Sequence, residues 1–170
     1  MTNNEKMKSY FKKLVIAPLF EEGFTGKYPH FRRVQKDCIE LISVQTNKWG
    51  GSFTIEVSAV FPNSNNKNYA QWEGLTVNQL TVWNTNERYR LKGMYNGWFY
   101  YRNLYAKRTL LFGKNYYDVP EKHAFDFIPP RGYKLVQKFD DNTAIEICNE
   151  VNKQFFKAFK WLNRFEKRNK

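Results

Sequence analysis

A strict alternation of apolar and polar residues in the first half of the chain constrains its fold more than any other feature. Phe53, Ile55, Val57 and Ala59 occupy every second position, and the residues between them are polar. Successive side chains of a β-strand point to opposite faces of the sheet, so this pattern predicts a strand with one buried face and one polar face. The buried face needs a covering layer, which places the strand in a layered domain.

Neighbouring segments extend this strand into an antiparallel meander. The three predicted strands are His30–Gln35, Cys38–Thr46 and Ser52–Phe61. The sequence Lys48-Trp49-Gly50-Gly51 between the last two is typical of a tight turn. After Pro62, the asparagine-rich residues 63–68 indicate an exposed loop, and residues 72–83 fit no single pattern.

Two amphipathic helices are predicted to flank the strands. From Glu5 to Phe20 apolar residues recur at helical spacing; Pro18 is expected to kink or shorten this helix and Gly23 to end it. The last helix is expected to open at Thr143, with Glu146 three residues later as in a capping box. Its apolar stripe comprises Ile147, Val151, Phe155, Ala158, Phe159 and Leu162.

The strongest turn signal is Asn96-Gly97, because a type I′ turn needs positive φ at both central residues. It predicts a hairpin of Arg88–Tyr95 with Trp98–Tyr105. Further strands are predicted within Tyr116–Phe127 and Tyr133–Phe139, separated by the turn Pro129-Pro130-Arg131-Gly132. Together these elements predict a single α+β domain over residues 1–170, with an antiparallel sheet flanked by an N-terminal and a C-terminal helix.

Several segments of the first part also resemble a known family. They are His30-Phe31-Arg32-Arg33, Ile39-Glu40-Leu41-Ile42-Ser43-Val44-Gln45, Lys48-Trp49-Gly50-Gly51-Ser52-Phe53, and Arg88-Tyr89-Arg90-Leu91 with Trp98. With these residues the chain resembles the bacterial family catalogued as domain of unknown function 4304, best over roughly residues 5–105. The resemblance implies a bacterial α+β protein and no particular activity, since these are strand and turn residues.

The start of the chain bears on where the protein resides. Residues 1–15 carry charges throughout and lack the uninterrupted apolar stretch of a signal peptide. Elsewhere the densest apolar runs are broken by charged residues, well short of the ~18 consecutive apolar residues of a membrane span. We therefore expect a cytoplasmic protein without a membrane span.

Neither a metal site nor a cofactor site is predicted. Cys38 and Cys148 are the only cysteines, and neither has a cysteine or histidine partner at ligand spacing, so we expect reduced, packed thiols. The segment Gly23-Phe24-Thr25-Gly26-Lys27 superficially evokes a phosphate loop. It lacks the glycine spacing and the strand-to-helix context of one.

The formal net charge of +12 has two explanations. An anionic partner would account for 28 Lys and Arg residues against 16 Asp and Glu residues. Lys, Asn, Tyr and Phe are also frequent, and all have AT-rich codons, so a biased genome composition explains the same excess. The composition alone leaves both explanations open.

Candidate catalytic groups are few. A nucleophilic triad needs a histidine near a Ser or Cys, and His30 and His123 both lie outside any recognised motif. A weaker candidate is the polar face of the meander, where Arg33, Gln45 and Glu56 would converge if the strand registers allow it. Arg33 and Gln45 would then grip an anion or amide, with Glu56 as base. An ion pair on a solvated sheet face also explains these residues, and the sequence leans against an enzyme.

A basic and aromatic pattern supports the alternative of nucleic-acid binding, since single strands are held by cationic grooves and aromatic stacking. The candidates are Arg88, Arg90, Lys92, Phe99 and Tyr101 on one hairpin face, extended by Lys153, Lys157, Lys160 and Arg164 along the last helix. Cation–π packing and a solvated helix side also explain them. We therefore predict a non-catalytic binding module for a protein partner or anionic ligand, with nucleic-acid binding second and a small-anion enzyme third.

Overall fold

The part of the chain that the structure describes forms two antiparallel sheets. The computed structural model describes residues 1–65, 67–68, 74–93, 97–109, 113–118 and 130–169. The strands of the main sheet are β1 (Thr25–Lys27), β2 (His30–Val34), β3 (Ile39–Thr46), β4 (Ser52–Val60), β5 (Tyr89–Arg90) and β6 (Phe99–Tyr100). Its order is β1-β2-β3-β4, with β5 and β6 both on the free edge of β4. The second sheet, of order β8-β7-β9, consists of β7 (Leu104–Thr109), β8 (Gly113–Asp118) and β9 (Lys134–Gln137).

Helical segments lie at the two ends of the chain. They are α1 (Asn3–Phe11), a π-helical segment (Lys12–Ile16), α2 (Ala17–Glu21) and α3 (Asp141–Asn169). The predicted fold class is confirmed, since along the chain an antiparallel sheet in meander order follows a first helix and precedes a last helix. Among the described residues, no helix combines the length and the apolar character needed to cross a bilayer.

Pro18 lies inside the first helical run without shortening it. A proline has no N–H to donate to the carbonyl four residues earlier, here that of Leu14. The Leu14 carbonyl accepts a hydrogen bond from the Asn152 side chain of α3 at 2.9 Å. The chain accommodates Pro18 by the π-helical turn that precedes it, and the exposed carbonyl links the first helical run to the last helix.

Gly23 ends the first helical run, as predicted. Its φ of +86° lies in the left-handed region, where glycine has no steric penalty. Its N–H donates to the Phe20 carbonyl, and the Phe24 N–H donates to the Leu19 carbonyl, both at 3.0 Å. These paired bonds form a Schellman motif, which turns the chain into β1 and places Phe24 in the core.

The meander is confirmed, and its register defines two faces. Phe31 lies opposite Ile42, and Ile42 lies opposite Val57, so the three share one face. We call this the helix-side face, because the apolar stripes of α1 and α3 pack against it. All predicted stripe residues of α3 are buried except Phe159, which is partly buried.

The opposite face of the main sheet is polar in sequence but buried in the structure. Thr54 and Ser58 have no exposed surface, and Glu56 is 7% exposed. The expectation of a solvated face is wrong, because the segment from Leu75 to Thr85 folds back over it in two 3₁₀ turns. The apolar contacts of this covering layer involve Ile39, Leu41, Val60, Leu75, Leu80 and Val82.

Asn68 is buried, although the loop 63–68 was expected to be exposed. Its φ of +52° is a left-handed conformation that asparagine tolerates. Its Nδ2 donates to the Ala59 carbonyl at 2.8 Å, and its Oδ1 accepts the Glu87 N–H at 2.7 Å. The side chain therefore joins β4 to the end of the covering layer by satisfying backbone groups on both.

The predicted hairpin across Asn96-Gly97 is wrong in its described part, although Asn96 itself lies outside the described residues. Arg90 lies opposite Glu56 and Phe99 opposite Phe53, so in the described part of each arm the strand pairs with β4. Between these two pairs the chain advances nine residues, from Arg90 to Phe99, while β4 moves by three, from Glu56 to Phe53.

The last helix begins at Asp141, and its cap is Asp140 instead of the predicted Thr143. The Thr143 N–H donates to the Asp140 carboxylate at 2.9 Å. Backbone and side-chain hydrogen bonds from Thr143 lower the pKa of Asp140. The next residue, Asp141, pairs with Lys6 of α1 at 2.9 Å.

The second sheet partly fits the sequence predictions. The predicted turn before β9 is present in its described part, where the Tyr133 N–H donates to the Pro130 carbonyl at 3.0 Å. The predicted strand Tyr116–Phe127 is described only to residue 118, and there it belongs to β8. Residues 119–129, with His123, lie outside the described residues.

Both cysteines are packed thiols, as predicted. Burial raises the pKa of the Cys148 thiol to about 12, so this sulfur stays protonated at neutral pH. The Cys38 thiol donates to the Glu166 carboxylate of α3. Within the described ranges, no group of three or more His, Cys, Asp or Glu side chains is arranged to hold a metal ion.

Candidate ligand-binding site

A cavity of about 600 Å³ lies between the first helical run and the helix-side face of the main sheet. Its volume falls within the ~300–1,000 Å³ typical of small-molecule sites. Apolar side chains make up most of its wall: Met7, Phe11, Ile16, Phe20, Phe31, Val44, Phe53 and Tyr101. The cavity therefore suits a ligand with an apolar body.

The local sequence explains why the wall is apolar. Met7 and Phe11 belong to the α1 stripe, and Phe31 and Val44 point to the helix-side face by strand alternation. Phe11 meets Phe53 edge to face with ring centroids 5.2 Å apart, which sets the helix against the sheet. The same pattern that builds the core therefore also builds the cavity wall.

Four lysines also line the cavity: Lys8, Lys12, Lys27 and Lys48. All four are exposed, and none of the described residues that line the cavity is acidic. The ion pairs found among the described residues use other cations, namely Lys6, Arg33, Arg88, Arg90, Lys153 and Arg168. Four lysines beside an apolar wall produce a positive field that attracts an anionic group to the opening.

The turn between β3 and β4 places Lys48 at this opening. The Asn47 side chain accepts the Trp49 N–H and its carbonyl accepts the Gly50 N–H, both at 2.9 Å. Gly50 and Gly51 each have φ of +75°, a conformation that other residues adopt only with strain. The backbone of the turn therefore holds Lys48 and Trp49 outward, and the Lys48 ammonium lies 4.9 Å from the Trp49 ring centroid.

Tyr28 and Thr46 form a polar part of the wall. Burial raises the pKa of the Tyr28 hydroxyl, Tyr101 raises it further, and a hydrogen bond with the Thr46 side chain partly opposes both. The phenol is therefore neutral at physiological pH and acts as a hydrogen-bond donor or acceptor. Asn4 and Asn47 also line the cavity.

The sequence patterns did not predict this site, although strand connectivity indicates that two of its four lysines lie close together. In a meander, alternate turns fall at the same end of the sheet. Lys27 precedes the β1–β2 connection and Lys48 lies in the β3–β4 turn, so connectivity alone places them together. The other two lysines, Lys8 and Lys12, reach the opening only because the first helical run packs across this end, which no local pattern shows.

The three weak catalytic candidates do not converge. Arg33 lies opposite Glu40 on the helix-side face, whereas Gln45 and Glu56 lie on the opposite face. Arg33 forms two hydrogen bonds with the Glu40 carboxylate, and Gln45 is exposed. The predicted shared site required strand registers that bring the three side chains together. The observed registers place them on different faces, so this site is not formed.

Glu56 is an ion-pair partner. Its Oε1 accepts two hydrogen bonds from Arg90, at 3.0 and 2.8 Å, and its Oε2 lies 3.4 Å from Arg88 Nη1. Both carboxylate oxygens are thus engaged by cations. The two arginines of the predicted nucleic-acid face serve to neutralise a nearly buried carboxylate.

The predicted basic and aromatic hairpin face is not formed. Phe99 and Tyr101 are 3% and 5% exposed, and both pack against Phe53 on the helix-side face. Arg90 points to the other face, where it meets Glu56. Phe99 and Tyr101 are therefore unavailable for base stacking, and exposed Lys92 lies in the loop that leaves the edge strand.

The basic residues of α3 are exposed, as the stripe predicted. Lys153, Lys157, Lys160 and Arg164 follow one solvent-facing side of the helix. Phe156 lies among them with 63% of its surface exposed, and the Lys160 ammonium is 4.2 Å from its ring centroid. This surface, the α3 basic face, belongs to a different helix from those that line the cavity.

His30 opens β2 and takes part in packing. Its Nδ1 lies 2.9 Å from the Ser43 hydroxyl, and its ring meets Trp83 edge to face at 4.9 Å. Burial, with a smaller contribution from Arg32, lowers the pKa of His30. The segment from Gly23 to Lys27 leads from a helix into a strand, the reverse of the order in a phosphate loop.

A sheet covered by two helices on one face and by a folded-back segment on the other, with a lysine-lined apolar cavity, defines an α+β protein with a candidate binding site. The chain belongs to the family described as Domain of unknown function (DUF4304), whose model matches residues 15–103, a little over half of the 170 residues. The resemblance noted in the sequence is therefore confirmed. No curated protein and no solved structure is significantly similar to the chain.

Proposed function

We propose that this protein is a non-catalytic binding module whose cavity holds a small ligand with an apolar body and an anionic head, such as a carboxylate or phosphate. The observation that carries the proposal is the combination of an apolar wall with four lysines at one opening. The wall supplies affinity by removing apolar ligand surface from water, and the lysines select the charged end.

The chemistry of the remaining lining residues supports this role. Tyr28, Thr46, Asn4 and Asn47 contribute neutral hydrogen-bonding groups beside the lysines. Such groups orient a head group without changing its covalent structure. We also propose that residues 1–170 act as one cytoplasmic domain. The Gln137 side chain supports the single domain, since it donates to the Tyr100 and Arg102 carbonyls and so ties β9 to the end of the main sheet.

Reversing one lining charge is expected to weaken binding of an anionic amphiphile. The probe is undecanoic acid carrying a dansyl group, and the variant is Lys12→Glu. Replacing attraction by repulsion near the head group should raise the Kd about tenfold, equivalent to ~1.4 kcal/mol. Fluorescence titration of the probe at low and high salt measures this change, and the difference should shrink at high salt.

Lys13→Glu provides the matched control for this experiment. Lys13 is adjacent in sequence and also exposed, but it does not line the cavity. We expect its Kd to stay within about twofold of the wild type. The methyl ester of the probe should bind more weakly than the acid. Equal effects of the two substitutions, or equal affinity for acid and ester, would contradict the proposal.

The α3 basic face favours a second candidate, the binding of a nucleic-acid backbone. Four exposed cations follow one side of the helix, with Phe156 between them as a stacking surface. Binding of labelled RNA and DNA should fall steeply with salt, with a slope of log K against log salt of about −3 to −4 for duplex if all four cations are used.

The triple variant Lys157→Glu/Lys160→Glu/Arg164→Glu is expected to remove most of this salt dependence. Its control reverses three exposed lysines elsewhere, Lys13→Glu/Lys36→Glu/Lys138→Glu. Fluorescence anisotropy at two salt concentrations distinguishes the two proteins. If both triple variants lose the same affinity, the interaction reflects net charge, and the α3 basic face is not a specific site.

A further inference from the structure

The opening of the cavity is surrounded by exposed aromatic side chains as well as by lysines. Phe20 and Tyr28 line the cavity and are still substantially exposed, and Trp49, between the lining residues Lys48 and Gly50, is 74% exposed. We call the four lining lysines together with Phe20, Tyr28 and Trp49 the cavity mouth. Exposed aromatic groups combined with cations are the composition of surfaces that contact a lipid–water interface.

The way in which Trp49 is held supports an external partner. Its position is set by backbone hydrogen bonds of the turn to Asn47, and the ring contact described for it is with the exposed Lys48 side chain. An indole ring placed outward on a two-glycine turn gains little from the fold itself. Transfer of the ring into another apolar phase lowers the free energy.

We propose that the cavity mouth docks on an anionic lipid bilayer and that the cavity ligand is a single-chain anionic lipid, such as a fatty acid, which passes between bilayer and cavity. This inference rests on the proposed function. Charge complementarity selects the bilayer: the lysines of the mouth match anionic head groups, and Trp49 and Phe20 match the interfacial zone beneath them. The ligand chemistry and the docking chemistry are then the same, an apolar chain with an anionic end.

The α3 basic face is the competing surface, because it also combines cations with an aromatic ring. The apolar stripe of α3 is buried against the main sheet, so this helix offers Phe156 as its large exposed aromatic side chain. The cavity does not open there. Docking through the mouth places the opening against the source of the ligand, which docking through α3 does not.

Co-sedimentation with vesicles tests the inference. The wild type should bind vesicles of phosphatidylcholine and phosphatidylglycerol, and should bind vesicles of phosphatidylcholine alone much less. Lys27→Gln/Lys48→Gln should lower the partition coefficient about twenty-five-fold, since each lysine near an anionic surface contributes about fivefold. Trp49→Ala should lower it by at least about threefold. The matched controls Lys157→Gln/Lys160→Gln and Phe156→Ala should leave it unchanged.

Uptake of the dansyl fatty acid without vesicles separates this inference from the proposed function. Trp49 does not line the cavity, so Trp49→Ala should keep the probe Kd within about twofold of the wild type. If the wild type takes up the probe normally but the cavity-mouth variants bind vesicles as well as the α3 control variants do, the docking inference alone is overturned. Loss of vesicle binding in the α3 variants but not in the mouth variants would do the same. Absence of probe uptake by the wild type would overturn the proposed function, and the lipid-ligand inference with it.

Discussion

Replacing Glu40 with alanine is expected to lower the free energy of unfolding by about 3 kcal/mol, because it leaves the Arg33 charge without its carboxylate in a largely buried site. Glu40 is 3% exposed and accepts hydrogen bonds from Arg33 Nε and Nη2. These hydrogen bonds are the main reason that the pKa of Arg33 is raised. The Arg33 guanidinium also lies over the Phe24 ring, 4.6 Å from its centroid, and 5.6 Å from that of Phe159.

Urea unfolding followed by circular dichroism measures this loss, and two variants test its cause. Glu22→Ala removes a largely exposed carboxylate 3.8 Å from the same guanidinium and should cost less than about 1 kcal/mol. The charge-free pair Arg33→Met/Glu40→Leu should recover much of the loss, since it removes the unpaired charge. If Glu40→Ala lowers the free energy of unfolding no more than Glu22→Ala does, the Arg33–Glu40 ion pair does not stabilise the fold.

The parts of the fold that were predictable are those whose partners lie nearby in the chain. Alternation located β4, and Asn47 with its following glycines sets the β3–β4 turn by bonds within five residues. Gly23 ended the first helical run because a left-handed residue is required there. Each of these features depends on a local conformation that a few residues determine.

The errors arose where distant backbone groups outweighed a local signal. The Asn96-Gly97 pair favours a hairpin, but the Leu91 N–H donates to the Ile55 carbonyl and the Tyr101 N–H to the Gly51 carbonyl. Completing the edge of a buried strand satisfies more groups than a two-stranded hairpin does. The same pairing turned Phe99 and Tyr101 into the core and removed the predicted stacking surface.

The candidate site was the least predictable feature, because it depends on gaps between packed elements. Lys8 and Lys12 lie beside the apolar stripe of the first helical run, where lysines usually form a solvated helix side. They become part of a candidate binding site only because the fold places Lys27 and Lys48 at the same cavity. A cavity is a property of how α1 meets the sheet, and sequence periodicity does not record it.

Introducing a large side chain into the cavity at Thr46 is expected to reduce the affinity for an apolar-chain carboxylate at least about tenfold. Thr46 is the last residue of β3, lines the cavity and is exposed, so Thr46→Trp should occupy ligand volume without overpacking the core. Tryptophan is also well tolerated in strands. Isothermal titration with dodecanoate measures the affinity, and thermal unfolding checks that the fold is retained.

Gln45→Trp is the matched control for this substitution. Gln45 is adjacent in the same strand and also exposed, but strand alternation points it to the opposite face of the sheet. It should bind dodecanoate within about twofold of the wild type. Equal losses at the two positions would indicate a general effect of tryptophan on the strand. Unchanged affinity in Thr46→Trp would show that the ligand does not occupy this cavity. The two substitutions introduce the same side chain on opposite faces of the same strand. Their comparison therefore tests whether the ligand binds on the helix-side face, where the cavity lies.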